Sequence, residues 1–202
     1  VEDTIESMLR ADQHQVRFRV APIDDMDGHL SKTAEILKTL HRSPDYLILG
    51  EVQTAEHSRA LFRAIVAGLR TLQTCHSRSA SALVTRWITS HEIEPIAIAH
   101  MDLIVTLERP NPASARRHVM QVAEIRRRMN SDGMIEFLGL NELYRTCNLS
   151  SESVVWDDNG ALTMAIVQRW QRPAPEIHSE VVEWVRSAME MGLESFSIEN
   201  ME

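Results

Sequence analysis

Apolar residues in the first half of the chain occur as short continuous runs and as stripes that repeat every three or four positions. Residues 46–49 form an apolar run between turn signals, which is typical of a parallel strand buried on both faces. Residues 71–75 form a second such strand. Between the two, Thr54 is a suitable N-cap, an apolar stripe follows, and Gly68 marks the end of a helix.

These three segments predict a strand–helix–strand unit with a right-handed crossover. The carboxyl ends of its two parallel strands then lie at the same edge of a sheet, where α/β proteins bind their ligands. Glu51 follows the first strand and His76 follows the second. We therefore expect their two side chains to lie close together at that edge.

The same patterns extend the prediction through the rest of the first half. Residues 16–20 alternate like a half-exposed strand, which puts Arg17 and Arg19 on one side. Ser31 is a suitable cap for a helix that runs to about His41. The other predicted elements are the end of a strand at 1–4, helices at 79–88 and 95–100, and a further buried strand at 103–107.

The second half has a different texture, with frequent prolines, arginines and turn residues. Residues 130–133 and 157–160 lie between strand-like segments and end in Asp-Gly or Asn-Gly, which are strong hairpin signals. Residues 176–191 carry apolar side chains on one helical face. The sequence thus predicts an α/β core at residues 1–107 and an α+β appendage, with hairpins and C-terminal helices, at residues 108–202.

Composition narrows the class of protein. The formal net charge is -8 and the pI is about 5.6, whereas a domain that binds nucleic acid irrespective of sequence is normally strongly basic. We therefore expect no nucleic-acid partner. Cys75 and Cys147 form no CxxC arrangement, which indicates neither a disulfide framework nor a zinc site. No apolar run approaches the ~18 residues of a membrane span.

Three segments follow one another in an informative order: Val1-Glu2-Asp3-Thr4, then residues 45–52, then Thr74-Cys75-His76. In order and spacing they resemble the Asp box, the Walker B strand and the His box of the type II/IV secretion ATPases. Within that family the chain is most similar to the motors of archaella and type IV pili. The likeness covers residues 1–126 well.

The resemblance implies a RecA-like parallel sheet core, here partial and without the P-loop strand, that hydrolyses ATP with Mg²⁺. Phosphoryl transfer to water needs a carboxylate to orient the water, a metal ion, and donors for the charge on the transferring group. Glu51 is suited to orient the water or to lie in the coordination shell of the magnesium ion. The resemblance implies a catalytic role for Glu2 as well. The implied nucleotide- or phosphate-sensing residues are His76, Thr74, Arg17, Arg19 and Asp3.

The resemblance also implies an assembly and a location. Relatives form a hexamer at the cytoplasmic face of a membrane, where the ring contacts a polytopic platform protein and drives export or filament assembly. The two arginines, Arg17 and Arg19, resemble those that follow the family's Asp box and that stabilise phosphate charge or complete a neighbour's site.

Two features depart from the family. The sequence contains no Gly-x-x-x-x-Gly-Lys-[Ser/Thr] P-loop, which relatives carry upstream of the Asp box and which supplies most of the grip on ATP. With Val rather than Met at position 1, we expect the 202 residues to be the C-terminal piece of a longer product, inactive alone. Gln53 stands where relatives carry arginine, so the positive charge of that arginine is absent here. The alternative function is therefore a non-catalytic paralogue that acts as a ring scaffold or interaction module.

The candidate residues also have structural interpretations. Glu51 is then an ordinary strand-end carboxylate and His76 a core histidine, while Arg17 and Arg19 protect an edge strand from aggregation. A basic cluster is expected where two adjoining strands meet, either as a solvated face or as a docking face for an acidic partner or a lipid surface. Its members are Arg116, Arg117, Arg126, Arg127 and Arg128.

Overall fold

The computed structural model of the chain describes residues 1–2, 14–20, 31–109, 117–148 and 151–154 and, further on, 164, 167–168, 171–180 and 183. Contacts divide the chain into two compact units, residues 1–155 and residues 156–202. The boundary predicted at 107/108 is a different division and stays a prediction. The described elements include helices, a small parallel sheet and an antiparallel sheet, so the mixed α/β class is confirmed.

The named elements all lie in the first unit. In chain order they are α1 (Lys32–Leu40), β1 (Tyr46–Leu49), α2 (Ala55–Val66), β2 (Arg70–Gln73), α3 (Ala80–Thr89), α4 (Pro95–Ile98), β3 (Leu103–Glu108), β4 (His118–Met129), β5 (Ile135–Asn148) and β6 (Ser151–Val154).

The predicted strand–helix–strand unit is present as β1, α2 and β2. β1 and β2 are parallel, with Ile48 opposite Leu72 and Leu49 opposite Gln73. Beyond the two strands, the Val52 amide donates to the Thr74 carbonyl at 2.8 Å. Both chain segments therefore leave the sheet at the same edge.

Local side-chain and glycine signals set the ends of α2. The Thr54 side chain accepts a hydrogen bond from the His57 amide at 3.2 Å, which satisfies a free donor of the first turn. At the other end Gly68 has a φ of +92°, and the Leu69 amide donates back to the Ala64 carbonyl. The predicted start and stop of this helix are confirmed. Ser31 likewise caps α1.

Two short backbone segments continue the parallel sheet on the other side of β1. The Val1 nitrogen donates to the Ile48 carbonyl at 2.7 Å. On the far side of this segment, the Glu2 amide donates to the Phe18 carbonyl at 3.0 Å within a parallel bridge to Arg19. The predicted strand end at the start of the chain is thus hydrogen-bonded to both β1 and the segment that carries the two arginines.

The prediction that the strand at 46–49 is buried on both faces is wrong. Leu47 and Leu49 are buried in the core, but Tyr46 and Ile48 are 59% and 49% exposed. Successive side chains of a strand point to opposite faces of the sheet. Within the described part of the chain, helices cover the face of the two leucines, and an apolar sequence run does not reveal that the other face is open.

The strand predicted at 103–107 exists as β3, but it is not a buried member of the parallel sheet. It pairs antiparallel with β4 and forms an edge of the sheet ordered β3-β4-β5-β6. Ile104 faces the core, whereas Val105 and Leu107 are 50% and 56% exposed. A short apolar run does not specify its pairing partner, and here that partner is the long strand β4.

The hairpin predicted at residues 130–133 joins β4 to β5. The Asn130 side-chain oxygen accepts hydrogen bonds from the amides of Asp132 and Met134, at 3.0 and 2.8 Å. Gly133 has a φ of +77°, which glycine adopts without strain. This hairpin prediction is confirmed.

The second unit is described only in part. Residues 174–180 are helical, so the helix begins two positions before its predicted start at 176. Arg172 precedes it and lies 3.7 Å from the Glu176 carboxylate. Met164, predicted to end a strand, is helical instead, as are residues 167–168. The hairpin predicted at 157–160 lies outside the described residues.

One hydrophobic core joins the helices of the first unit to both of its sheets. Trp87 of α3 is 1% exposed and packs edge-to-face on Phe62 of α2, with ring centroids 5.1 Å apart. Ile104 of β3 and Ala123 and Ile125 of β4 belong to the same core. The antiparallel sheet therefore packs with the helices that support the parallel strands.

Adjacent residues of β1 test this one-sided burial. We expect Leu49→Ala to lower the free energy of unfolding by about 2–5 kcal/mol because it leaves a cavity in the core. Ile48→Ala should lower it by less than about 1 kcal/mol because that side chain faces solvent. Urea unfolding of both variants measures the difference. Equal losses would mean that both faces of β1 are buried.

Candidate functional site

Glu51 and His76 meet at the carboxyl edge of the β1–β2 pair, as the strand–helix–strand unit predicts. The His76 Nε2 atom lies 2.9 Å from the Glu51 Oε1 atom. Gln53 Nε2 donates to the other carboxylate oxygen, Oε2, at 2.6 Å. The Glu51 side chain is 26% exposed and that of His76 is 94% exposed. The carboxylate thus has a partner on each oxygen and remains open to solvent.

The main chain that carries Glu51 is held from several directions. The Thr74 hydroxyl donates to the Gly50 carbonyl, and the Thr74 carbonyl accepts from the Val52 amide at 2.8 Å. From α1, the Lys32 ammonium donates to the Glu51 carbonyl at 3.0 Å. The Thr74 hydroxyl thus donates its hydrogen to the main chain in this structure, and its oxygen can still accept. Its predicted contact with a phosphate stays a prediction.

Glu2 lies beside the same turn. Its side chain is 5% exposed, and the Arg17 Nε atom is 3.8 Å from its Oε2 atom. A Cβ atom at position 50 would lie 3.1 Å from Glu2 Cγ, so a side chain there would crowd Glu2 and force it to shift. Because Glu2 contacts Gly50 and Glu51 follows Gly50, both carboxylates lie on adjoining backbone at this edge.

The remaining predicted residues are less informative. Arg19 is exposed, one position from the half-buried Phe18. Asp3 lies outside the described residues. The structure therefore brings together Glu2, Arg17, Glu51, Thr74 and His76 at one end of the parallel sheet.

Cys75 lies between Thr74 and His76, and the charges of the site affect the pKa of its thiol. Burial, which disfavours the thiolate, raises the pKa of the Cys75 thiol to about 11. The Arg86 guanidinium opposes this shift, and the Glu51 carboxylate adds to it. A protonated thiol at neutral pH is a poor nucleophile, so Cys75 has the properties of a structural residue.

Sequence reasoning missed Lys32 and Arg86. Arg86 lies on α3, and its charge reaches both Cys75 and His91. Lys32 is the first residue of α1 and is 3% exposed. A signal for Lys32 was present in the sequence, because a cation directly after an N-cap opposes the helix dipole. Nothing local to Arg86 distinguishes it from a surface arginine.

A second histidine forms a pair that superficially resembles a nucleophile and its base. His91 Nδ1 lies 2.7 Å from the Ser58 hydroxyl oxygen, and that hydroxyl also bonds to the Thr54 carbonyl at 3.2 Å. Ser58 is fully buried, and burial lowers the pKa of His91. Because no substrate can reach the hydroxyl, this pair fixes α2 to the loop after α3.

The prediction that the five arginines of the basic cluster come close together is wrong. Arg117 directly precedes β4 and Arg126 lies near its other end, so nine residues of one strand separate them by roughly 30 Å. Arg127 donates to the Met101 carbonyl at 2.7 Å and contacts Asp102 at 2.8 Å. Arg128 pairs with Glu136, and Arg116 lies outside the described residues.

Neither a metal-binding cluster nor a membrane-spanning helix occurs in the described ranges. There, His, Cys, Asp and Glu side chains form no group of three or more with metal-binding geometry. In that same part of the chain, the helices are too short or too polar to cross a bilayer.

The fold and the site define a mixed α/β protein in which carboxylates and a histidine meet at the carboxyl edge of parallel strands. The family model described as type II/IV secretion system protein matches residues 1–150. Since the match covers most of the chain, the chain belongs to this family, and the resemblance seen in the sequence is confirmed. Proteins of the family are typically ATPases. No curated protein matches the chain at a significant level.

The thiol of Cys75 offers a pH-dependent test of the site. In a Cys147→Ser background, we expect alkylation of the folded chain to rise only as the pH approaches about 11. Glu51→Gln should lower the midpoint because it removes a carboxylate that disfavours the thiolate. Glu56→Gln, on the exposed side of α2, is the matched control and should leave the midpoint unchanged.

The same thiol affects stability in a defined direction. An unfolded thiol loses its proton near pH 9 and the folded one near 11, so the stability contributed by the protonated thiol is lost as the pH rises through this window. Two results of the alkylation experiment would contradict the described environment of Cys75. One is an alkylation midpoint near pH 9 in the folded chain, and the other is a midpoint that Glu51→Gln leaves unchanged.

Proposed function

We propose that this chain is part of a RecA-like motor ATPase that hydrolyses ATP in a hexameric ring and thereby drives export or filament assembly. The single observation that carries the proposal is the convergence of Glu51 and His76 at the carboxyl edge of parallel strands. Family membership supports it independently, because secretion proteins of this type are typically ATPases.

The geometry supports separate roles for the residues of the site. Glu51, with a solvent-facing carboxylate, orients the attacking water, and Glu2 supplies a second carboxylate beside it. His76 is 94% exposed and offers a ring nitrogen to the γ-phosphate. Thr74 fixes the turn before Glu51 and lies close to the Glu51–His76 pair. In the proposal Asp3 senses phosphate together with His76 and Thr74.

The two arginines have different surroundings, which suggests different roles. Arg17 pairs with Glu2 within its own chain, so it holds that carboxylate in place. Arg19 is exposed and is the better candidate for contact with the nucleotide of a neighbouring subunit. A positive group that reaches the transferring phosphoryl stabilises the charge that spreads over its oxygens.

The residues present fit the cofactors of such an enzyme, ATP and Mg²⁺. Magnesium is a hard cation that proteins bind through one or two carboxylates together with waters and substrate phosphates. The carboxylates of Glu51 and Glu2 offer that donor set at one edge. If Mg²⁺ were bound at this edge, these two carboxylates would hold it, and it would supply positive charge for the transferring phosphoryl group.

Gln53 provides part of the interaction that relatives obtain from arginine. Its amide donates to Glu51 at 2.6 Å, so it orients the carboxylate without adding a charge. This arrangement is compatible with a working base and equally with a ring scaffold that has lost catalysis, which is the alternative function.

We further propose that the ring lies at the cytoplasmic face of a membrane and contacts a polytopic platform protein. The net charge of -8 supports the expectation that nucleic acid is not a partner.

The test is turnover of ATP by the full-length protein. We expect Glu51→Gln to reduce kcat roughly 10²-fold or more, the scale on which a positioned acid–base group contributes. ATP binding should persist, because the carboxamide has the shape of the carboxylate. Glu56→Gln is the matched control, since that glutamate is 67% exposed on α2 and should not affect turnover.

Two outcomes would count against the proposal. A Glu51→Gln variant with wild-type turnover would remove Glu51 from the mechanism. A full-length protein that assembles into rings but has no turnover would favour the scaffold.

A further inference from the structure

Lys32 is buried beneath the turn that carries the candidate catalytic carboxylate. The residue is 3% exposed, and its ammonium group donates to the Glu51 carbonyl at 3.0 Å. Burial lowers the pKa of the Val1 amine, and the charges of Glu2 and Lys32 both act on that amine, so the Lys32 charge reaches the segment that carries Glu2. One cation thus lies close to both carboxylate-bearing segments.

The position of this lysine is unfavourable on local grounds. A positive charge in the first turn of a helix opposes the macrodipole, and a buried ammonium group loses its hydration. The chain has 19 arginines and only two lysines. The other lysine, Lys38, lies half-exposed on the same helix and pairs with Glu35. Residues that violate local preferences in this way tend to mark functional sites.

The contact acts on the main chain of Glu51. The Gly50 carbonyl on one side accepts from Thr74, and the Val52 amide on the other donates to the Thr74 carbonyl. Both of those bonds come from the β2 side of the turn. Lys32 supplies the bond from the α1 side, and its loss would leave the peptide after Glu51 held from one side only.

We propose that Lys32 is a positioning residue, which fixes the Glu51 peptide so that the carboxylate keeps its orientation beside His76. The catalytic consequence rests on the proposed function, whereas the geometric claim stands without it. Lysine suits the task because a compact ammonium group on a flexible stem reaches the Glu51 carbonyl in a closed space. The wider, planar guanidinium fork of arginine would need several acceptors there.

The catalytic arm of the test uses Lys32→Met in the full-length protein. Methionine is similar in length, fills the space and removes both the charge and the donor. We expect kcat to fall at least about tenfold while KM for ATP stays within about twofold, because a misplaced group affects the reaction more than binding. Lys38→Met is the matched control on the same helix and should leave both constants unchanged.

The geometric arm uses NMR spectroscopy of the 202-residue chain. The Nε2 atom of His76 lies 2.9 Å from the Glu51 carboxylate, so the ring-nitrogen signals of His76 report the orientation of that carboxylate. We expect these signals to move in Lys32→Met and to stay in place in Lys38→Met. His76→Gln identifies the signals among those of the nine histidines.

The two arms separate the possible failures. Unchanged kcat together with unchanged His76 signals in Lys32→Met would overturn the inference. A lower thermal stability with unchanged His76 signals would make Lys32 a structural residue and would overturn it as well. If the wild-type protein does not hydrolyse ATP, the proposed function fails, and the NMR arm alone then decides whether Lys32 positions Glu51.

Discussion

The parallel pairing of β1 with β2 is the constraint on which the candidate site depends. Glu51 and His76 are 25 positions apart in sequence, and the register that puts Leu49 opposite Gln73 brings them to one edge. Side chains alternate between the faces of a strand, so a slip of one residue would turn one of the pair away. The Val52–Thr74 hydrogen bond extends this register past the strand ends.

The second requirement of the site is a hydrogen-bond or ion-pair partner for each buried charged group. Glu2 is buried and Lys32 is 3% exposed, so each ionised group needs partners close by. Arg17 serves Glu2, and the Glu51 carbonyl serves Lys32. Gly50 permits the close approach that makes this arrangement possible, because any side chain there would crowd Glu2. The turn is therefore shaped by its buried neighbours as much as by its own sequence.

Locally encoded features of the fold could be predicted from the sequence. The caps at Ser31 and Thr54, the glycine stop at Gly68 and the turn at 130–133 depend on residues within a few positions, and the structure has each of them. The meeting of Glu51 and His76 also followed, because handedness and the strand–helix–strand order determine which strand ends share an edge.

Features that depend on distant partners could not be predicted in this way. The open face of β1 and the antiparallel pairing of β3 depend on what packs or pairs from elsewhere in the chain. Arg127 looked like part of a surface cluster, yet it donates to the carbonyls of Ala99 and Met101, which follow α4. The unfavourable position of Lys32 after an N-cap was visible in the sequence, but its partner was not, because a backbone carbonyl 19 positions away leaves no pattern there.

The proposed function requires that the edge formed by Glu51 and His76 receive the γ-phosphate of ATP. A crystal structure of the full-length protein with Mg²⁺ and a non-hydrolysable ATP analogue would locate that phosphate. We predict a γ-phosphate oxygen at hydrogen-bond distance, about 3 Å, from a ring nitrogen of His76, with Glu51 facing the same phosphoryl group. A nucleotide bound elsewhere, with His76 still paired to Glu51 and facing solvent, would contradict it.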